Sequence, residues 1–154
     1  YGELKGMGAT LVLFVICGAD YAILNIGDSR AYHFNNDALI QITKDHTEGQ
    51  RMLDLGLLTR KELSGFPARK NLNRYIGYGQ NGYVLQADEY YPILDNGVML
   101  LCSDGISDYL PDSRISEILH SANNLESAGK QLINEAVASH NADNATVMLI
   151  PLGR

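Results

Sequence analysis

The sequence predicts an α+β fold built on antiparallel sheets. Two observations carry this. The first half is a series of short apolar runs rich in β-branched residues, broken by Gly, Asn and Asp. Amphipathic helical stripes enter only late, after Pro111. There is no internal repeat and no low-complexity tract.

Taken in order, Gly6-Met7-Gly8-Ala9-Thr10 is a flexible lead into Leu11–Cys17, whose composition predicts a central strand. Gly18-Ala19-Asp20 turns the chain, and Tyr21–Ile26 returns as a second strand that stops at Gly27-Asp28-Ser29-Arg30. Ala31–Phe34 continues as strand. Asn35-Asn36-Asp37 tolerates a left-handed turn, and Ala38–Thr43 pairs back, which predicts an antiparallel meander over this region. In Lys44–Gly82, Thr47 with Gln50 and Thr59 with Glu62 each fit a capping box opening a helix. Gly49, Gly56, Gly65 and Pro67 keep those helices brief, and an insert this long between strand groups points to function.

Tyr83–Tyr91 alternates as a strand and turns at Asp95-Asn96-Gly97. Val98–Cys102 is five apolar residues in a row, as in a strand buried on both faces. It ends abruptly at Ser103-Asp104-Gly105, where glycine lets the chain turn sharply with Asp104 facing outward. Pro111-Asp112-Ser113 opens a helix with Ile115, Ile118 and Leu119 on one face. A second helix starts near Asn124 and aligns Leu125, Ala128, Leu132 and Ala136. Asn141–Asn144 is a turn, and Ala145–Leu152 is the final strand.

The 154 residues amount to one domain, long enough for a real core. A formal charge of -6, with no Lys/Arg run, argues against nucleic acid as a partner. An acidic chain handles phosphate groups only where divalent cations reverse the local field. No apolar stretch reaches membrane-spanning length and no signal peptide is visible, so the expected location is cytoplasmic. Cys17 and Cys102, each inside an apolar run, are expected to be buried free thiols.

Asp28, Asp104 and Asp143 share one context: each sits at a strand end beside small or turn-forming residues. Hard cations such as Mg2+ and Mn2+ take oxygen ligands and keep several waters. Three carboxylates from separate strand ends would suit them, and the lack of a Cys/His cluster argues against zinc. Spacing does not establish that the three converge; three independent turns fit it equally. Ser29 and Ser103 look locally like nucleophiles but have no assigned base. Arg30 and Arg74 are expected in structural salt bridges rather than on substrate phosphate.

Six segments occur in order: Gly6–Thr10, Asn25–Tyr32 around Gly-Asp-Ser-Arg, Ile42–Thr47, Leu72–Gly77, Leu101–Asp108 around Ser-Asp-Gly, and Asp143–Val147. Together they resemble the metal-dependent protein phosphatases of the PP2C (PPM) family, bacterial branch, over nearly the whole chain. The resemblance implies a β-sandwich of antiparallel sheets flanked by helices in α-β-β-α layers. It also implies hydrolysis of phosphoserine and phosphothreonine on proteins by a metal-activated water, with no protein nucleophile. Asp104 and Asp143 match ligands of a binuclear Mn2+ or Mg2+ site, and Asp28 matches a residue that binds a third ion together with Asp104. His46 matches no catalytic position and is taken as structural. Residues 48–71 match the family's flap.

The family's Asp-Gly-x-Gly-Gly motif and phosphate-gripping arginine have no match here. The chain is therefore expected to be the C-terminal part of one phosphatase domain, 1–154, weakly active or inactive alone. Exposed sheet edges are expected to favour dimerisation or strand exchange. The implied partners are phosphoproteins modified by a serine/threonine kinase, and the substrate-binding residues are unknown. The alternative is a pseudophosphatase or phosphoprotein-binding module with an incomplete metal site.

Overall fold

The computed structural model describes residues 7–18, 20–36, 38–77, 86–92, 96–139 and 143–153. Among these residues, seven strands form two antiparallel sheets. In the first, β1 (Leu11–Cys17) and β2 (Asp20–Ile26) make a hairpin, and β5 (Asp88–Tyr90) lies on the far side of β2. The second runs β4-β3-β6-β7, with β3 at Arg30–Asn35, β4 at Ala38–Gln41, β6 at Gly97–Cys102 and β7 at Val147–Leu152. The helices are α1 (Glu48–Asp54), α2 (Arg60–Leu63), α3 (Asp104–Ser107), α4 (Asp112–Ser121) and α5 (Leu125–Ala138).

Alternation along β6 explains the continuous apolar run. Met99 and Leu101 face the first sheet and pack with Ile23, Ala31 and Leu152, joined by Val12, Phe14 and Ile150. Leu100 and Cys102 face the other way, with Tyr32, against Ile106, Ile115, Ile118, Leu132 and Ala136 from α3, α4 and α5. Burying each such side chain contributes about 1.5–3 kcal/mol, so β6 is the shared wall of two cores. The sandwich with flanking helices is as expected. Among the described residues, helices cover only the second sheet, and the outer face of the first carries exposed Leu11, Leu13 and Val15.

Several local expectations change. The first four strands are not one meander but two hairpins in different sheets, and the chain crosses between them at Gly27–Ser29. Among the described residues β1 is therefore an edge strand rather than a central one, and Cys17 at its hairpin end is exposed, while Cys102 is buried. Composition cannot tell an edge from a centre, because an edge strand in a sandwich still buries one face. The lead is also not free: Ala9 pairs with Ile76 through two backbone hydrogen bonds of 2.8 and 3.1 Å. Of the Tyr83–Tyr91 strand, Asp88–Tyr90 is strand, whereas residues 83–85 lie outside the described residues, as do Asp95 and the start of the Asn141–Asn144 turn.

The excursion at 48–71 begins and ends at one place. Thr47 bridges Leu72, and the Glu48 and Gly49 amides donate to the Asn71 and Arg69 carbonyls at 2.9 and 3.1 Å. Thr59 and Glu62 complete a capping box on α2. Thr47 caps α1 by accepting from the Gln50 amide, while the Gln50 side chain turns away to Asp54.

Candidate functional site

Strand register builds the site. Arg30 opens β3 opposite Cys102 at the end of β6, and Cys102 stands opposite Val147 at the start of β7. The three strand ends share one rim of the second sheet. Asp28 hangs two residues before Arg30, Asp104 two after Cys102 and Asp143 four before Val147. Antiparallel pairing thus puts the three aspartate-bearing segments at one end of the second sheet, a placement that spacing left open.

The turn carrying Asp28 is tightly held. Gly27 adopts φ 104°, a left-handed conformation that favours glycine, and a Cβ there would overlap the Thr10 side chain. Its amide donates to His46 Nδ1 at 3.0 Å, and its carbonyl accepts from the His46 amide at 2.9 Å. With Nδ1 accepting, the proton sits on Nε2, which faces Asp88 at 3.1 Å, and Asp88 also pairs with Arg74. Buried His46 thus has the structural role expected of it. Ser29 shares a hydrogen bond of 2.8 Å with Thr10, and the Ser103 hydroxyl accepts from the Thr146 amide at 3.1 Å. Both serines tie strands together, and no base stands by either among the described residues.

At Asp104 the sequence expectation changes. The segment after β6 is a helical turn, α3, and Gly105 is needed for closeness rather than for a sharp bend: a Cβ would overlap the Asn144 carbonyl. That contact presses the Asp104 turn onto the Asp143–Asn144 turn. Arg30 is fixed by a bidentate pair with Asp45, at 2.8 and 2.7 Å, and Arg74 by Asp88, so both are structural cations.

A cavity of about 260 Å³ opens at this rim. Asp28 and Asp104 line it; Asp143 is exposed beside it and does not. Burial pushes the Asp28 carboxyl up to about 6, helped by the charge of Asp104. Burial also raises Asp104, with Asp143 and Asp108 adding to it. These are all-oxygen donors whose negative charges repel, which fits a hard divalent cation. Among the described residues, however, no three acidic, histidine or cysteine side chains are grouped closely enough to hold an ion by themselves.

Sequence reasoning missed part of the lining. Asp108 stands four residues after Asp104, a spacing that a single helical turn brings to one side. Arg60, Arg69 and Lys70 reach the cavity from the 48–71 excursion, and no local pattern marks them. Lys70 pairs with Asp108 at 2.6 Å and lies 5.8 Å from the Tyr109 ring centroid, joining the excursion to the Asp104 segment.

No family model matches the chain. The serine/threonine phosphatase stp of Listeria innocua is 32% identical over 148 residues, covering 96% of this chain and 58% of that protein. The crystal structure of the Mycobacterium tuberculosis serine/threonine phosphatase PstP/Ppp superposes at a TM-score of 0.90 with 32% identity, covering 99% of this chain and 63% of that one. The chain is homologous to the bacterial PP2C-type serine/threonine phosphatases. A PstP catalytic domain in complex with two manganese ions also matches, at a TM-score of 0.77 and 33% identity over 96% of this chain and 60% of that one. The chain spans about 58% of the length of the first curated relatives it matches. No helix among the described residues is long and apolar enough to cross a membrane.

Proposed function

We propose that this chain is part of a metal-dependent protein serine/threonine phosphatase, in which Asp104 and Asp143 ligate a binuclear Mn2+ or Mg2+ centre and Asp28 joins Asp104 on a further ion. The observation that supports this best is the common rim fixed by the Arg30–Cys102–Val147 register, with Asp28 and Asp104 both on the cavity wall. When bound, such ions supply an acidified water and polarise the phosphoryl oxygens for in-line attack. The chain's own residues hold and orient the donors. His46 fixes the Asp28 turn, and the Gly105–Asn144 contact fixes Asp104 against Asp143. The 48–71 excursion serves as the flap over the substrate. The reading extends to phosphoproteins modified by a serine/threonine kinase and to a cytoplasmic location. The reading includes weak or no activity of the 154 residues alone, in keeping with a match that spans little more than half of its relatives' length. The exposed apolar edge strand β1 favours association with a second copy.

A second reading, a phosphoprotein-binding module without turnover, is favoured by one observation: no ready-made three-ligand cage exists among the described residues. p-Nitrophenyl phosphate hydrolysis, with and without Mn2+, separates the two when measured on this chain and on a form extended at its amino terminus. Mn2+-dependent hydrolysis in the extended form, abolished by Asp104→Ala, supports the enzyme. Hydrolysis in neither form, with no Mn2+ uptake by calorimetry, leaves the binding module.

A further inference from the structure

The cavity pairs only part of its charge. Its walls carry five carboxylates, Asp28, Asp45, Asp104, Asp108 and Asp112, and four cations, Arg30, Arg60, Arg69 and Lys70. Arg30 is paired with Asp45, Lys70 with Asp108, and Asp112 accepts from the Tyr32 hydroxyl at 3.3 Å. What remains is two acids on the sheet rim, Asp28 and Asp104, and two arginines on the 48–71 excursion. Neither arginine side chain makes a hydrogen bond or ion pair to any described residue. Opposite charges facing one cavity without meeting match a ligand that brings charge of both signs, a cation to the rim and an anion to the excursion.

We propose that Arg60 and Arg69 form a subsite for an acidic side chain that flanks the phosphorylated residue of a protein substrate. The proposal rests on the phosphatase reading, and it assigns the excursion a recognition role distinct from the reaction itself. Guanidinium groups suit this because their planar fork takes a carboxylate through two parallel hydrogen bonds. Because they belong to the excursion and not to the turns that carry Asp28 and Asp104, they are assigned to a neighbour of the phosphoresidue rather than to the rim. Both side chains are exposed, so reversing their charge leaves packing intact. Lys61 is the internal control: it follows Arg60 directly on α2 and is exposed, but does not line the cavity.

The test is fluorescence anisotropy with labelled phosphothreonine peptides carrying Glu or Gln flanks, and with their unphosphorylated forms, in the presence and absence of Mn2+. The wild-type chain should bind the Glu-flanked phosphopeptide about tenfold more tightly than the Gln-flanked one, as expected for a charge-assisted bidentate contact. In R60E/R69E the preference should vanish or invert, while K61E should retain it. Equal binding of the two flanks, or no binding, overturns the proposal, as does a preference that survives R60E/R69E or is lost equally in K61E. A Glu preference that is abolished by R60E/R69E but indifferent to phosphate and Mn2+ keeps the acid subsite and removes the phosphatase reading instead.

Discussion

Asp28→Asn should stabilise the metal-free chain while weakening its hold on metal. The Asp28 carboxyl rises from 3.8 to about 6 on folding, first through burial and then through Asp104. Between those values the folded chain holds a proton that the unfolded chain has released, so stability falls as pH rises through the window. The full shift corresponds to a ceiling of about 3 kcal/mol. Asp28 is only half-buried, so solvent screening reduces this to about 1 kcal/mol. Asparagine mimics the neutral acid and removes the penalty. The variant should therefore melt about 2–4 °C higher than wild type at pH 8. About half of that advantage should remain at pH 5, and little by pH 4. Differential scanning calorimetry in chelator, repeated at the three pH values, reads this directly. Adding Mn2+ should then raise the wild-type melting temperature more than that of the variant, since only ligand binding to the folded state shifts it. A variant that melts lower at pH 8, or a difference that does not change with pH, would refute the electrostatic reasoning.

Two further outcomes follow from the local geometry. Gly105→Ala should cost about 1–3 kcal/mol and lower the melting temperature by several degrees, because the added methyl meets the Asn144 carbonyl rather than a side chain that can move aside. In the native chain, iodoacetamide should label exposed Cys17 within minutes and leave Cys102 untouched, since burial pushes the Cys102 thiol up to about 12. Peptide mapping checks this, and equal labelling of both thiols would contradict the placement of β6 at the centre of the second sheet.

Much of the fold was legible because the patterns were strong. The Val98–Cys102 run, the stripes through Ile115, Ile118 and Leu132, the Thr59 cap and the helix start near Asn124 all occur where expected. The sheet assignment of β1 to β4 was not legible. Gly27 resembles any turn glycine in sequence, yet it takes the chain from one sheet to the other, and only pairing partners distant in sequence reveal that. The same applies to the site. Asp28 and Asp104 stand out beside their glycines, whereas Arg60 and Arg69 have no local signature. Those two reach the cavity through the closure of the 48–71 excursion, which is a tertiary event.

That closure has a bearing on variation among related chains. The ends of the excursion are joined by the Thr47–Leu72 bridge and two neighbouring backbone hydrogen bonds, so its interior can change length at a cost that grows only slowly with residue number. The strands allow no such freedom. One residue inserted between Met99 and Cys102 would exchange the two faces of β6 and carry Asp104 out of line with Arg30 and Val147. Residues 48–71 are therefore expected to tolerate exchange as a unit. A different excursion grafted between Thr47 and Leu72 would bring a new set of cavity-facing cations while leaving the aspartate rim where it is.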